Sequence, residues 1–155
     1  MKILFFDIST KLQTVDDLSV RGRGGMVTSL FKISDHLSAV GHQVLVCGDI
    51  EECGITAKGT SWVNRENFPK GESFDFIVMN RGLGTGLVDV EARHRILWTH
   101  DLPHNGHIPE PMTINAFDAT VFMSEYCEGL WRTFYKTIGR SFLIPNGVDK
   151  TIFYP

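Results

Sequence analysis

Cysteine is scarce in this chain: Cys47, Cys53 and Cys127 are the only three among 155 residues. An odd count without metal-ligand spacing argues against a disulfide framework and suits a reducing, cytoplasmic setting. Basic runs are missing too. With 15 Lys and Arg against 18 Asp and Glu, the net charge is −3, so no extended nucleic-acid footprint is expected. No apolar stretch approaches the roughly 18 residues of a membrane span. The opening Met1-Lys-Ile-Leu-Phe-Phe6 reaches Asp7 too soon for a secretory apolar region. A peripheral contact at the inner face of a membrane stays open. Internal repeats, low-complexity tracts and interdomain linkers are absent, so one domain is expected over residues 1–155. No Gly-x-Ser-x-Gly elbow surrounds Ser124, which argues against a serine nucleophile.

What is present is the alternation of short apolar runs with helical patterns that marks a parallel sheet. Strands are expected at Lys2–Asp7, Gln43–Cys47, Phe74–Asn80, Arg95–Thr99, Thr120–Met123 and Ser141–Ile144, with a weak one at Trp62-Val63. Their near-continuous apolar character implies helices on both sheet faces. The clearest helix runs from about Gly25 to Val40, with Met26, Leu30, Ile33, Leu37 and Val40 on one face. Gly41 stands where a C′ glycine would end it. A second follows Ser124, a good N-cap, with Cys127, Leu130, Trp131, Phe134 and Ile138 as its buried stripe and Gly139 as its stop. The expected class is α/β, a doubly wound, mostly parallel, Rossmann-like sheet.

Three segments could carry chemistry. The connection Ile8–Gly24 is long for a strand-to-helix link, and long links are often functional. It ends Arg21-Gly22-Arg23-Gly24-Gly25 at a helix start. Glycines there admit a ligand to backbone N–H groups, the helix dipole favours an anion, and Arg21 and Arg23 add donors for phosphate or carboxylate. A surface loop whose glycines merely turn the chain would look the same. Next, the strand before Thr99 delivers His100 and Asp101 to its carboxyl end, where open α/β sheets bind ligands. The imidazole can bond a hydroxyl or a developing charge near neutral pH, with Asp101 orienting it or accepting from another hydroxyl. His100, His104 and His107 share a loop with Pro103 and Gly106, not a helix face, so no metal is expected. Finally, Asn80-Arg81-Gly82-Leu-Gly84-Thr-Gly86, with Asp101 about twenty residues on, imitates a dinucleotide fingerprint. Its spacing is G-x-G-x-G and not G-x-G-x-x-G, which favours a turning loop over a dinucleotide site.

The turn Pro145-Asn146-Gly147-Val148-Asp149 ends the last strand, and Asn146-Gly147 tolerates positive φ. Together with "ILWTHDLP", "VFMSEY", "LSAVGHQVLVC" and Gly24-Gly25, this "IPNGVD…F.P" resembles the N-terminal domain of retaining GT-B glycosyltransferases of the glycogen-synthase-like group, glycosyltransferase family 4. The pieces occur in the family's order across nearly the whole chain. The resemblance implies the N-terminal half of a GT-B fold, holding a carbohydrate or lipid-linked acceptor. A second domain, missing from this sequence, would bind the nucleotide-sugar donor through an Arg/Lys pair and an E-x7-E motif. It places Gly24 and Gly25 at the donor diphosphate, His100 beside the transferred sugar with Asp101 next to it, and Asn146 and Gly147 near the hinge, with Ser124 at the cleft edge. The donor is a substrate, so no cofactor is implied. The first loop departs from the family's commoner Gly-Gly-x-Glu-Arg.

Overall fold

A computed structural model of the chain describes residues 1–16, 24–68, 70–80, 90–103 and 114–147. Its centre is an eight-stranded sheet, parallel except at one edge. In chain order the elements are β1 (Lys2–Leu12), α1 (Gly25–Ala39), β2 (Gln43–Ile50), β3 (Gly54–Ile55), β4 (Ser61–Asn64), β5 (Ser73–Asn80), β6 (Glu91–Trp98), β7 (Ala119–Phe122), α2 (Glu125–Phe134) and β8 (Arg140–Leu143). The strand order is β3-β4-β2-β1-β5-β6-β7-β8. The chain winds outward from β1 through β2 to β4, then returns to the other side of β1 for β5. The carboxyl ends of β1 and β5 are therefore the switch point where such sheets open a crevice.

Two apolar layers account for the winding. One packs α1 against Ile3, Phe5, Val44, Val46, Trp62, Trp98 and Val121. On the opposite face Leu4, Phe6, Ile77, Met79, Leu97 and Phe122 meet Cys127, Trp131 and Tyr135 of α2 and its C-terminal edge. Alternate residues of each strand feed alternate layers, as the period of two requires. Burial of Cys47 in the second layer pushes its thiol up to about 12.

Several expected boundaries move. β1 continues past Asp7 to Leu12, because after a register shift Lys11 and Leu12 find ladder partners in Asp49 and Ile50, and Leu12 is buried. The short β3, antiparallel to β4, was not expected; two residues carry no periodicity. α1 buries Val27, Leu30 and Ser34, while Ile33 and Val40 of the expected stripe are exposed. The true contact face contains serine, which hides it from a hydrophobic pattern. Ser34 Oγ turns back to Phe31 O at 3.0 Å, so its hydroxyl is satisfied against the sheet. α2 ends at Phe134, before Gly139; Phe134 is exposed and Tyr135 takes the inward place, stacked 5.4 Å from Trp131.

Polar contacts lock the edges. Asp35 of α1 accepts from Thr56 Oγ1 at 2.5 Å and from Thr60 Oγ1 at 2.8 Å, and Ser38 Oγ lies 2.8 Å from Thr60 Oγ1. This network fastens the β3–β4 hairpin to α1, and Thr60 is fully buried. Replacing Asp35 by Ala leaves two hydroxyls without their acceptor and is expected to cost about 1–3 kcal/mol, read as a lower urea midpoint at unchanged m-value.

At the other edge Glu128 Oε1 accepts from Ser141 Oγ at 2.6 Å and from Arg132 Nε at 2.9 Å. Those bonds, Ser141 first and Arg132 second, hold the Glu128 carboxyl below the ordinary glutamate value. A depressed folded pKa contributes stability that is complete above the unfolded value and lost as pH falls through the folded one. Acid unfolding of Glu128→Gln should therefore begin from lower stability at neutral pH and lose less on acidification. The group is near the surface, so the difference is under about 1 kcal/mol.

Candidate functional site

The carboxyl rim of the sheet, on the face covered by α1, gathers the polar groups. Register places Gly48 of β2 beside Asp7 of β1 and Asn80 of β5 beside Trp98 of β6. Asn80 Nδ2 donates to Asp7 Oδ2 at 3.1 Å, joining the two halves of the row at the switch point. Asp7 and Asn80 are buried. Gly48 is required by close approach, since a Cβ there would stand 2.9 Å from the Asp7 carbonyl oxygen. Beneath the rim a cavity of about 10 Å³ lies between Asp7, Val27, Leu30 and Trp62, close to the lower limit for one water.

Two residues beyond Trp98 on the same face, the half-buried His100 ring packs on the indole with centroids 4.5 Å apart and planes tilted by 48°. The strand's alternation thus turns His100 toward the α1 side. Asp101 is anchored from the other side: its carbonyl oxygen accepts from Trp131 Nε1 at 2.9 Å and faces Cys127 Sγ at 3.8 Å. Burial first, with the Asp101 charge as a smaller contribution, pushes the Cys127 thiol up. Thr99 donates both its N–H and its hydroxyl to Val121 O, at 2.9 and 3.0 Å, which fixes the start of this turn.

Gly24 is the N-cap of α1 at φ −43°, and no side chain caps the helix. Neither Gly24 nor Gly25 has the positive φ that demands glycine, and among the described residues an added Cβ would meet nothing within 4 Å. Their glycine character is thus not explained by local conformation or described packing. No acidic residue occupies the first turn, so the positive end of the helix dipole is not offset there by a neighbouring carboxylate.

The segment after β8 returns to this same helix tip. Ser29 Oγ lies 2.8 Å from Gly25 O and 3.0 Å from Asn146 Oδ1. Residues 117 apart in sequence thereby meet at the first turns of α1, and Asn146 and Gly147 stay exposed. Ser124 serves α2 as a cap, its Oγ accepting from Cys127 N–H at 3.1 Å. Arg21 and Arg23, the glycines at 82, 84 and 86, and the histidines at 104 and 107 lie outside the described residues. No group of three or more His, Cys, Asp or Glu that could hold a metal occurs among the described residues.

Sequence reasoning did not single out Asp7 or Ser29, and it named Asn80 and Trp98 only as the leading residues of candidate segments, with no role of their own. A usable signal existed for Asn80, where an otherwise apolar strand, FDFIVMN, closes on an amide. A larger cleft of about 290 Å³, lined by Lys2, Gln43, Ser61 and Glu72, opens at the amino ends of the strands. Ligands of open α/β sheets bind at the carboxyl ends, so the rim with the smaller cavity is the candidate site.

No family model and no curated protein matches the chain. Among solved structures it is similar to sucrose-phosphate synthase from Thermosynechococcus elongatus, with a TM-score of 0.70 at 16% identity. The alignment covers 100% of this chain and 50% of that one, so the chain spans about half the length of its structural relative. No helix among the described residues is long and apolar enough to cross a membrane. The likeness shows the fold expected from the sequence, a doubly wound, mostly parallel Rossmann-like α/β domain matching half of that synthase.

Proposed function

We propose that this chain is the acceptor-side domain of a GT-B glycosyltransferase that moves a sugar from a nucleotide-sugar to an acceptor hydroxyl with retention. The observation that supports the reading is the contact of Asn146 with Ser29 at the first turns of α1, with His100 packed on Trp98 beyond the carboxyl end of β6. In this reading Gly24 and Gly25 face the donor diphosphate, with Arg21 and Arg23 supplying charge. His100 lies beside the transferred sugar, Asp101 closes the turn that carries it, and Asn146 and Gly147 border the hinge. A second domain contributes the main cationic clamp on the leaving diphosphate, whose stabilisation dominates such a barrier. The acceptor is a carbohydrate or a lipid-linked saccharide, reached from the cytoplasm or from the inner face of a membrane.

The whole-chain likeness to sucrose-phosphate synthase favours this reading over a dinucleotide-dependent oxidoreductase. The isolated 155-residue chain is expected to release nucleoside diphosphate from nucleotide-sugars no faster than background. Joined to its donor-binding domain, it should transfer sugar, with the product anomer matching the donor by proton NMR. Transfer at ordinary rates by the isolated chain would refute the division of labour, and an inverted anomer would refute retention.

A further inference from the structure

Two polar atoms at the rim are buried without a hydrogen-bond partner among the described residues: Asn80 Oδ1 and Trp98 Nε1. Both belong to residues at least nine-tenths buried, Asn80 at 0% and Trp98 at 7% exposure. They are paired positions on adjacent parallel strands, and such strands run about 4.8 Å apart. Both side chains project to the face where α1 packs, because Phe76, Val78 and Ile96, at alternate positions of the same strands, belong to that layer.

The chemistry of the pair is selective. Asp7 orients the Asn80 amide: Nδ2 donates to the carboxylate, and turning the amide over would set two acceptors against each other. That bond uses one of the two Nδ2 hydrogens and leaves Oδ1 as an acceptor without a partner among the described residues. The indole of Trp98 offers only a donor. An anion without an O–H cannot satisfy Oδ1, and the neighbouring Asp7 carboxylate repels any anion, phosphate included. An ammonium cannot accept from Nε1. A neutral hydroxyl does both. Buried polar atoms are ordinarily partnered, so two complementary orphans side by side point to an occupant.

We propose that Asn80 Oδ1 and Trp98 Nε1 hold a hydroxyl of an uncharged saccharide, beneath His100 and apart from the anion-favouring tip of α1. The inference rests on the glycosyltransferase reading and deepens it, by assigning a neutral sugar to the acceptor side. Carbohydrate would then be read at the switch point, and phosphate at Gly24 and Gly25.

The test is proton–nitrogen NMR of the intact chain, titrated separately with D-glucose, D-mannose and inorganic phosphate. Three indole signals are expected, from Trp62, Trp98 and Trp131, and the one missing in Trp98→Phe is Trp98. That signal should move saturably with at least one hexose and stay still with phosphate. The movement of neighbouring amides by that hexose should weaken at least tenfold in apparent affinity in Trp98→Phe, whose ring still packs. A Trp98 signal indifferent to both hexoses overturns the inference and leaves a resident water as the occupant. So does equal hexose affinity in Trp98→Phe, or movement with phosphate. If the Gly25 amide responds to phosphate while Trp98 ignores the sugars, the glycosyltransferase reading stands and only this assignment falls.

Discussion

Replacing His100 by Ala, in the enzyme where this domain works with its donor-binding partner, should lower turnover about 100-fold or more while folding is nearly untouched. A positioned acid, base or hydrogen-bond donor contributes roughly 10²–10⁴-fold to a rate, and His100 is an imidazole packed on Trp98 at the carboxyl rim. The ring is half-buried and packs on Trp98 with centroids 4.5 Å apart. Losing such an aromatic contact costs on the order of 1 kcal/mol, within the margin of an ordinary domain. The readings to compare are kcat and KM on one side and the urea midpoint on the other. A fall in kcat with little change in midpoint supports a role at the transferred sugar. Unchanged turnover removes His100 from the site, and the sugar-transfer proposal would lose the imidazole it places at the transferred sugar.

Phe122→Ala should do the reverse: lower stability by about 3–5 kcal/mol. Phe122 is fully buried at the end of β7, edge-on to Trp131 with centroids 6.1 Å apart. It sits in the layer shared by Leu97, Cys127 and Tyr135, so its loss opens a void between the sheet and α2. With a urea m-value of about 2 kcal/mol/M, the midpoint should fall by about 2 M. The same change loosens the seat of Ser124, whose cap starts α2 two residues later. A midpoint within about 0.3 M of the parent would mean that the α2 layer repacks around the missing ring, contrary to the close packing of protein interiors.

Much of this molecule is legible from its residues in order. The apolar runs at Lys2–Asp7, Phe74–Asn80 and Ser141–Ile144 mark strands, and Ser124 followed by Glu125 and Glu128 marks a helix start. Gly24-Gly25 opens α1 as expected. The illegible parts share one cause. The buried face of α1 includes Ser34, and the network of Asp35, Ser38, Thr56 and Thr60 replaces apolar contact at its edge. Hydrophobic periodicity is blind to polar groups whose partners lie twenty residues away. The register shift that carries β1 on to Leu12 is likewise a property of β2, not of β1 alone.

By itself, then, the sequence determined the α/β class, the approximate place of most strands and of the helices α1 and α2, and the candidate residues at strand ends. Those depend on local periodicity, capping and turn chemistry, which act over a few residues. Only the tertiary structure decided the strand order, the switch point at β1 and β5, and the row that sets Gly48 beside Asp7, Asp7 beside Asn80, and Asn80 beside Trp98. A strand buried on both faces carries no mark of its neighbour. That choice is made by crossovers and packing across the whole sheet, and it is the choice that gives the rim its chemistry.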